Sequence, residues 1–346
     1  MATRDRPATS RHPHERPPQP WIRWRPRASA HARARRPKPA HDPETALLLA
    51  LASTWAYSDR RGLGDVLNRT VLPGARCELI ESRNSALLVD TQVFLVRQAE
   101  AGVTIVVFRG TEFGGAGISD VLTDFAIDPI PYPKDADSTV HRGFLRGLVA
   151  VWPTLLDALA RHPQDRLYLT GHSLGGALAA LMAVALCLPE GGGVMGTTDE
   201  AARVSARDRL VAVYTFGQPM IGSPSFARRA AVALARHVTV VRHIYNRDAI
   251  PRQPGRALGR FAHFGDEVWA TEGSSGWTPT PGKAVVQDLT IAGLMAGAVD
   301  FLFRQTALTR ALKLPRSLSD HVPQHYVDVC KRAVFGPRGL DAPYYP

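Results

Sequence analysis

Short apolar runs alternate with longer amphipathic or alanine-rich stretches along most of the chain. The short runs, rich in β-branched residues, predict buried strands, and the longer stretches between them predict helices. The predicted strands are 85–98, 102–111, 167–170, 209–219 and 237–254, and the predicted helices are 43–57, 142–162, 174–188 and 223–236. Strands that alternate with helices of this length usually form a parallel sheet that is covered on both faces. The pattern therefore predicts an α/β fold, with a mainly parallel sheet and helices on both faces.

Positive charge is concentrated at the start of the chain. The 346 residues carry a formal net charge of +11, but residues 1–40 hold ten arginines and one lysine against two carboxylates, which leaves only +2 for the rest. This segment is rich in proline and arginine and has no hydrophobic periodicity, so we expect a disordered basic arm, followed by a single domain over 41–346. A nearly neutral body disfavours a nucleic-acid partner. The alternative to a merely solvated arm is peripheral contact with a membrane or lipid droplet surface, which Trp21 and Trp24 favour.

The cysteines and the first apolar run bear on cofactors and location. Three cysteines without metal-ligand spacing predict neither a disulfide framework nor a metal site, and we expect no cofactor. The run 45–53 has the composition of a leader's apolar region, but the preceding Asp42-Pro43-Glu44 is typical of a helix N-terminus. We therefore expect a cytoplasmic or peripheral membrane protein, with secretion left open.

The candidate chemistry begins at a pentapeptide between a predicted strand and a predicted helix. Gly171-His172-Ser173-Leu174-Gly175 is a G-x-S-x-G sequence in the strand–turn–helix context that the nucleophile elbow requires. A serine hydroxyl is a weak nucleophile until a base accepts its proton, and the base is oriented by a third group. The sequence thus makes Ser173 a candidate nucleophile and demands a histidine and an acid elsewhere in the chain.

Several blocks of the sequence occur in the order found in one hydrolase family. They are "VVFRGT", "DVLTDF", "VHRGF", "GHSLGGALA", "YTFGQPMIGSPSFA", "NRDAIPR", "FAHFGDEVW" and "DHVPQHY". With these blocks the chain resembles the class 3 (fungal-type) lipase family of the α/β-hydrolase superfamily, roughly over residues 45–326. The resemblance implies the α/β-hydrolase fold and a triad of serine, acid and histidine in that order along the chain.

The resemblance and the residue chemistry together suggest the acid and the base. Asp248 follows a β-branched strand and stands in the family's Asp–apolar–Pro setting, whereas Asp266 is a weaker competitor for the acid. His321 follows an aspartate and precedes Tyr326, as the family's catalytic histidine commonly does. His325 is the alternative base, because the register of this segment is not fixed by the sequence.

Other residues are expected to support the reaction or the fold. The backbone N–H of Leu174 is a candidate oxyanion donor, and the resemblance gives Thr111, at the end of a strand, the second oxyanion position. The glycine-rich segment 112–133 that follows is either a lid or a fixed loop. We expect His172, His243 and His263 to be structural histidines.

These residues predict a serine carboxylic ester hydrolase, a triacylglycerol or acylglycerol lipase that works through an acyl-enzyme intermediate on a lipid or ester substrate. A phospholipase A1 and a lipase-like acyltransferase would use the same residues on other substrates. The alternative of another class is a non-catalytic, lipase-like scaffold that binds membranes through its basic arm.

Overall fold

The computed structural model describes nine stretches of the chain: 21–26, 41–84, 89–110, 129–132, 137–196, 199–235, 238–254, 261–280 and 319–337. The helices are α1 (Pro43–Trp55), α2 (Arg60–Thr70), α3 (Arg142–Ala160), α4 (Leu174–Cys187), α5 (Gly191–Val194), α6 (Glu200–Asp208), α7 (Pro224–Leu234) and α8 (Pro323–Phe335). The strands are β1 (Arg76–Asn84), β2 (Val89–Gln98), β3 (Val103–Phe108), β4 (Pro129–Pro131), β5 (Thr139–His141), β6 (Arg166–His172), β7 (Leu210–Phe216), β8 (Thr239–Tyr245), β9 (Asp266–Ala270) and β10 (Thr278–Pro279).

Eight of the strands form one sheet in the order β1-β2-β3-β6-β7-β8-β9-β10. The five strands from β3 to β9 in this order are parallel to one another, while β1, β2 and β10 pair antiparallel at the two edges. This is the mainly parallel sheet that the alternating pattern predicts, and the fold-class prediction is confirmed. The carboxyl ends of β6, β7 and β8 lie side by side at one edge, where a parallel sheet usually carries its site.

The sheet separates two hydrophobic cores. Successive side chains of a strand point to opposite faces, and β3 shows this clearly: Val106 and Phe108 enter one core, while Ile105 and Val107 enter the other. The first core lies under α3 and α4, and the second lies under α1, α2 and α8. Helices therefore cover both faces, as predicted.

A short piece of the expected arm packs on the body of the protein. Residues 21–26 run beside the end of α2, with hydrogen bonds from the Ile22 N–H to the Thr70 carbonyl (3.2 Å) and from the Trp24 N–H to the Val71 carbonyl (3.0 Å). Trp24 is buried in the second core. In this six-residue piece, the apolar surface buried by the side chains offsets the entropic cost of ordering the chain. The remaining residues of 1–40 lie outside the described ranges, as does most of the segment predicted as a lid or loop.

Candidate active site

Ser173 occupies a sharp turn between β6 and α4. Its backbone has φ 57° and ψ −128°, a conformation that typically costs a non-glycine residue about 1–3 kcal/mol. A hydrogen bond from its N–H to the Phe216 carbonyl (2.9 Å) ties the turn to β7. A Cβ on Gly171 would lie 2.2 Å from the Gly175 carbonyl carbon, and one on Gly175 would lie 2.2 Å from the Phe108 carbonyl oxygen. The two glycines therefore allow the close backbone contacts that hold the strained serine.

The nucleophile candidate also begins a helix. Ser173 is the N-cap residue of α4, yet its side chain makes no capping hydrogen bond. The helix N-terminus behind it favours negative charge, and Leu174, the predicted oxyanion donor, contributes the first N–H of that helix. The geometry is that of a nucleophile elbow with an anion-binding helix end beside it.

The second predicted oxyanion residue, Thr111, lies outside the described residues. The chain can be followed to Gly110, just before it. A Cβ on Gly110 would lie 2.6 Å from the His172 carbonyl oxygen, so the end of β3 brings the chain into contact with the elbow at the residue preceding Thr111.

Asp248 and His321 form a buried hydrogen-bonded pair. The His321 Nδ1 lies 2.7 Å from the Asp248 Oδ2, and both side chains are inaccessible to solvent. An ionised carboxylate can only accept, so Nδ1 carries the proton, and in the neutral imidazole Nε2 is left to accept one. This is the orientation that a general base requires.

Two further donors satisfy the buried carboxylate. The Ile250 N–H donates to Asp248 Oδ1 (2.9 Å), and the Tyr326 hydroxyl donates to Asp248 Oδ2. Burial and the neighbouring carboxylate raise the pKa of Tyr326 well above its ordinary value, so the phenol keeps its proton and remains a donor. These hydrogen bonds give the buried Asp248 carboxyl group the polar partners that offset the cost of its burial.

Gly217 brings the serine and the acid–base pair together. It follows Phe216, the residue whose carbonyl binds the Ser173 N–H. A Cβ on Gly217 would lie 2.7 Å from His321 Cε1 and 2.9 Å from Asp248 Oδ2, and Gly217 has a φ of +59°. The three residues predicted as a triad therefore meet around the carboxyl ends of β6, β7 and β8, although they lie far apart in the sequence.

The turn that carries His321 is held from two sides. Asp320 Oδ2 accepts hydrogen bonds from the Asn246 side-chain amide (3.0 Å) and from the Arg247 N–H (3.2 Å). On the other side, His172 Nε2 lies 2.8 Å from the His321 carbonyl oxygen. The turn with His321 is thus fixed to the loop that carries Asp248 and to the turn that carries Ser173.

The weaker candidates lie elsewhere. His325 is in α8, where its ring stacks on Tyr245 with centroids 4.8 Å apart. Asp266 begins β9 opposite Val241, well before the carboxyl end of β8, and does not approach the serine's edge of the sheet. His243 and His263 each bond a backbone carbonyl, of Thr215 (3.0 Å) and of Pro251 (2.6 Å) respectively, and burial lowers the pKa of both well below the usual value.

Sequence reasoning missed several residues that shape this site. Tyr326 stands within the quoted block "DHVPQHY", but its contact with Asp248 was not foreseen. Gly217 follows a predicted strand, and only the three-dimensional packing shows that a side chain there would collide with His321.

Within the described ranges, no group of three or more histidine, cysteine, aspartate or glutamate residues is arranged to hold a metal ion.

The chain is similar to known lipases over its central part. Residues 105–258 match the family model described as Lipase (class 3). The protein named Lipase of Rhizomucor miehei is 32% identical over 220 residues, which cover 60% of this chain and 55% of that protein. The protein named Triacylglycerol lipase OBL1 of Arabidopsis thaliana is 30% identical, over 51% of this chain and 39% of its own length. The chain thus spans about half the length of the lipases of Rhizomucor miehei and Rhizopus niveus.

A solved structure has the same fold. The lipase from Rhizopus microsporus var. chinensis aligns with a TM-score of 0.51 and 25% sequence identity, covering 69% of this chain and 80% of that one. The aligned fold is that of the α/β-hydrolases, in agreement with the sheet order and the elbow described above.

Proposed function

We propose that this chain, whose residues 105–258 match the class 3 lipase family model, is a serine hydrolase of carboxylic esters, with acylglycerols as its substrates. The observation that carries the proposal is the buried pair of His321 and Asp248, which lies against Gly217 beside the strained turn of Ser173. A serine with a purely structural role would not need the strained turn. It would also not need an imidazole bound to a carboxylate next to Gly217, the residue after its backbone partner Phe216.

The proposed reaction is an acyl transfer in two halves. Ser173 Oγ attacks the ester carbonyl carbon while His321 Nε2 accepts the hydroxyl proton, and Asp248 orients and stabilises the imidazolium. The N–H of Leu174 and the oxyanion group of Thr111 bind the negative oxygen of the tetrahedral intermediate. The alcohol leaves with the proton from His321, and water then cleaves the acyl-enzyme by the same steps.

Mutation of the nucleophile tests this proposal. Ser173→Ala removes the attacking oxygen, and we expect turnover of a p-nitrophenyl ester to fall by at least about 10⁴-fold, as losses at catalytic nucleophiles do. Thermal unfolding of the variant should remain cooperative. Ester turnover close to that of the wild type in a folded Ser173→Ala variant would exclude the assignment, and an inactive wild type would favour the non-catalytic scaffold.

The name of the plant relative supports triacylglycerol as the substrate. We expect emulsified triacylglycerol to be hydrolysed in preference to phospholipid. A panel of triacylglycerols, phosphatidylcholine and short-chain esters, each with and without an acceptor alcohol, would distinguish a lipase from a phospholipase A1 and from an acyltransferase. Faster release of the sn-1 chain of phosphatidylcholine, or preferred transfer to the alcohol, would contradict the choice of lipase.

We further propose that the basic arm brings the enzyme to an anionic lipid surface, as a peripheral protein. Within the packed segment, Trp24 points inward while Arg23 and Arg25 are exposed. Electrostatic attraction of clustered arginines to anionic lipid is expected to weaken with salt. Cosedimentation of the full chain and of a chain lacking residues 1–20, each with phosphatidylserine and with phosphatidylcholine vesicles, tests this proposal. Equal binding of the two chains to phosphatidylserine vesicles, or equal binding of the full chain to both vesicle types, would contradict it.

A further inference from the structure

A chain of hydrogen bonds crosses the interior behind the triad. The Tyr57 hydroxyl, just after α1, lies 2.9 Å from His172 Nδ1. The other ring nitrogen of His172, Nε2, lies 2.8 Å from the carbonyl oxygen of His321. His172 directly precedes Ser173, so the chain links α1, the nucleophile elbow and the backbone of the base. None of these contacts has a part in the acyl-transfer steps described above.

The chemistry of the partners fixes the protons along this chain. A carbonyl oxygen can only accept, so His172 Nε2 must carry the hydrogen, and the neutral ring then accepts at Nδ1 from the Tyr57 hydroxyl. Burial, together with the neighbouring His321, lowers the pKa of His172 well below its ordinary value. Burial likewise raises the pKa of Tyr57. Both groups therefore remain uncharged, and the phenol selects the tautomer that donates toward His321.

The neutral state of His172 matters because of its position. Its ring centroid is 4.5 Å from that of His321, in a tilted arrangement. During acyl transfer the base becomes an imidazolium, and a second positive ring at this distance would oppose that charge. The neutral His172 ring donates its Nε2–H to the His321 carbonyl and so holds the base without adding charge repulsion.

The end of β3 closes on the same pair of side chains. A Cβ on Gly110 would lie 2.2 Å from the Tyr57 Oη and 2.6 Å from the His172 carbonyl oxygen. Gly110, which precedes Thr111, therefore packs directly against Tyr57 and the backbone of His172. The hydrogen-bonded pair of Tyr57 and His172 therefore contacts the turn of Ser173, the backbone of His321 and the end of β3 that leads to Thr111.

We infer that His172, with its tautomer set by Tyr57, is a positioning residue that aligns His321 for proton transfer by donating Nε2–H to the His321 carbonyl. The inference rests on the proposed role of His321 as the base. Misplacement of a reacting group by about 1 Å can cost on the order of 10²-fold in rate, so loss of this donor should act on the chemical step more than on substrate binding.

Two substitutions at position 172 separate the hydrogen bond from the bulk of the ring. His172→Phe keeps a planar ring and removes the donor, whereas His172→Gln can place an amide N–H near the position of Nε2. We expect kcat of His172→Phe to fall by about 10- to 100-fold with KM near the wild-type value, and His172→Gln to recover most of the loss. Tyr57→Phe, which removes the group that selects the tautomer, should fall between the two.

His243 offers a matched control. It is buried, it bonds a backbone carbonyl through one ring nitrogen and its pKa is also lowered by burial, but that carbonyl belongs to Thr215 in the sheet. His243→Phe should lower the melting temperature as much as His172→Phe does and leave kcat unchanged. If His172→Phe and His243→Phe lost kcat equally, the loss would reflect a general decrease in stability, and the inference would be overturned.

A second readout does not depend on activity. The hydrogen bond to Asp248 shifts the His321 Nδ1 proton resonance downfield and slows its exchange with water, so NMR of the whole chain reports the alignment directly. We expect this resonance in the wild type, Ser173→Ala and His172→Gln, and we expect it to be broadened or lost in His172→Phe. An unchanged resonance together with wild-type kcat in His172→Phe overturns the inference, whereas an inactive wild type with the predicted resonances contradicts only the proposed function.

Discussion

At the scale of single residues, the site depends on backbone positions that accept no ordinary side chain. Ser173 keeps a positive φ because the glycines around it permit close packing. Gly217 has a φ of +59° and lies against the base and the acid. Strain of this kind persists only where the surrounding structure over-determines it. Ser173, His321 and Asp248 are therefore held in place by main-chain contacts as much as by their own hydrogen bonds.

Substitution of Gly217 tests this dependence. In Gly217→Ala the new Cβ would stand 2.7 Å from His321 Cε1, so the imidazole must move. We expect kcat for ester hydrolysis to fall by about 10²-fold, the usual cost of a displacement near 1 Å. Gly102→Ala is the control, because Gly102 has a φ of +58° and no neighbour within 4 Å of its added Cβ.

Both variants carry the same kind of backbone strain, of about 1 kcal/mol or more. Gly217→Ala adds the cost of the collision with His321, so it should lose more stability than Gly102→Ala in urea denaturation. Only Gly217→Ala should lose activity. If the two variants were equally active, the contact of Gly217 with the base would have no catalytic consequence.

The sequence could identify the three triad candidates because each carries a local signal. Ser173 stands in a strand–turn–helix motif, and the order of acid and histidine follows from the fold. Tyr57 and Gly217 carry no such signal, because their roles arise from contacts with residues more than a hundred positions away. The choice between His321 and His325 stayed open for the same reason, since only packing shows which ring reaches Asp248.

At the scale of elements, the predicted buried strands and their helices are present, and the elements that were missed are mostly amphipathic or at an edge. β1 lies at the edge of the sheet and carries charged residues along its length, so no continuous apolar run marks it. α8 begins at Pro323, directly after the base, in a segment that the sequence analysis treated only through its histidines. Its position matters, because this helix fixes where the turn with His321 can lie.

The turn before α8 provides a prediction at this scale. Asp320 ties it to the loop of Asp248 through two hydrogen bonds to one carboxylate oxygen. Asp320→Ala should lower kcat by about 10-fold and the free energy of unfolding by about 1–3 kcal/mol, the cost of removing a charged acceptor. Asp320→Asn keeps an acceptor oxygen and should retain most activity. Equal kcat values in wild type and Asp320→Ala, measured on the same ester, would show that the turn is held by other contacts.

At the scale of the whole molecule, the anchor of the basic arm lies toward the amino end of β6, whereas the candidate site lies at its carboxyl end. Ser173, Asp248 and His321 lie around the carboxyl ends of β6, β7 and β8, whereas Trp24 contacts Tyr168, early in β6, edge to face at 5.5 Å. Trp21 lies under the ammonium group of Lys331, which is 5.0 Å from its ring centroid, toward the end of α8. The arm is thus joined to α1, α2 and α8, the three helices that cover the second core.

This arrangement predicts different effects for two truncations. A chain without residues 1–20 should unfold like the full chain, because the packed segment remains. A chain without residues 1–26 also loses Trp24, and we expect a fall of about 3–5 kcal/mol in the free energy of unfolding, typical of removing a buried tryptophan. Urea denaturation measures both. Identical midpoints for the two truncated chains would contradict the packing of residues 21–26 on the body.

The most direct test of the central claim is to locate the nucleophile chemically. Wild type and Ser173→Ala are incubated with a fluorophosphonate ester, digested, and mapped by peptide mass spectrometry. We expect one adduct per wild-type chain, on the peptide that contains Ser173, and no adduct in the variant. An adduct at a different residue, or labelling of Ser173→Ala at the wild-type rate, would contradict it.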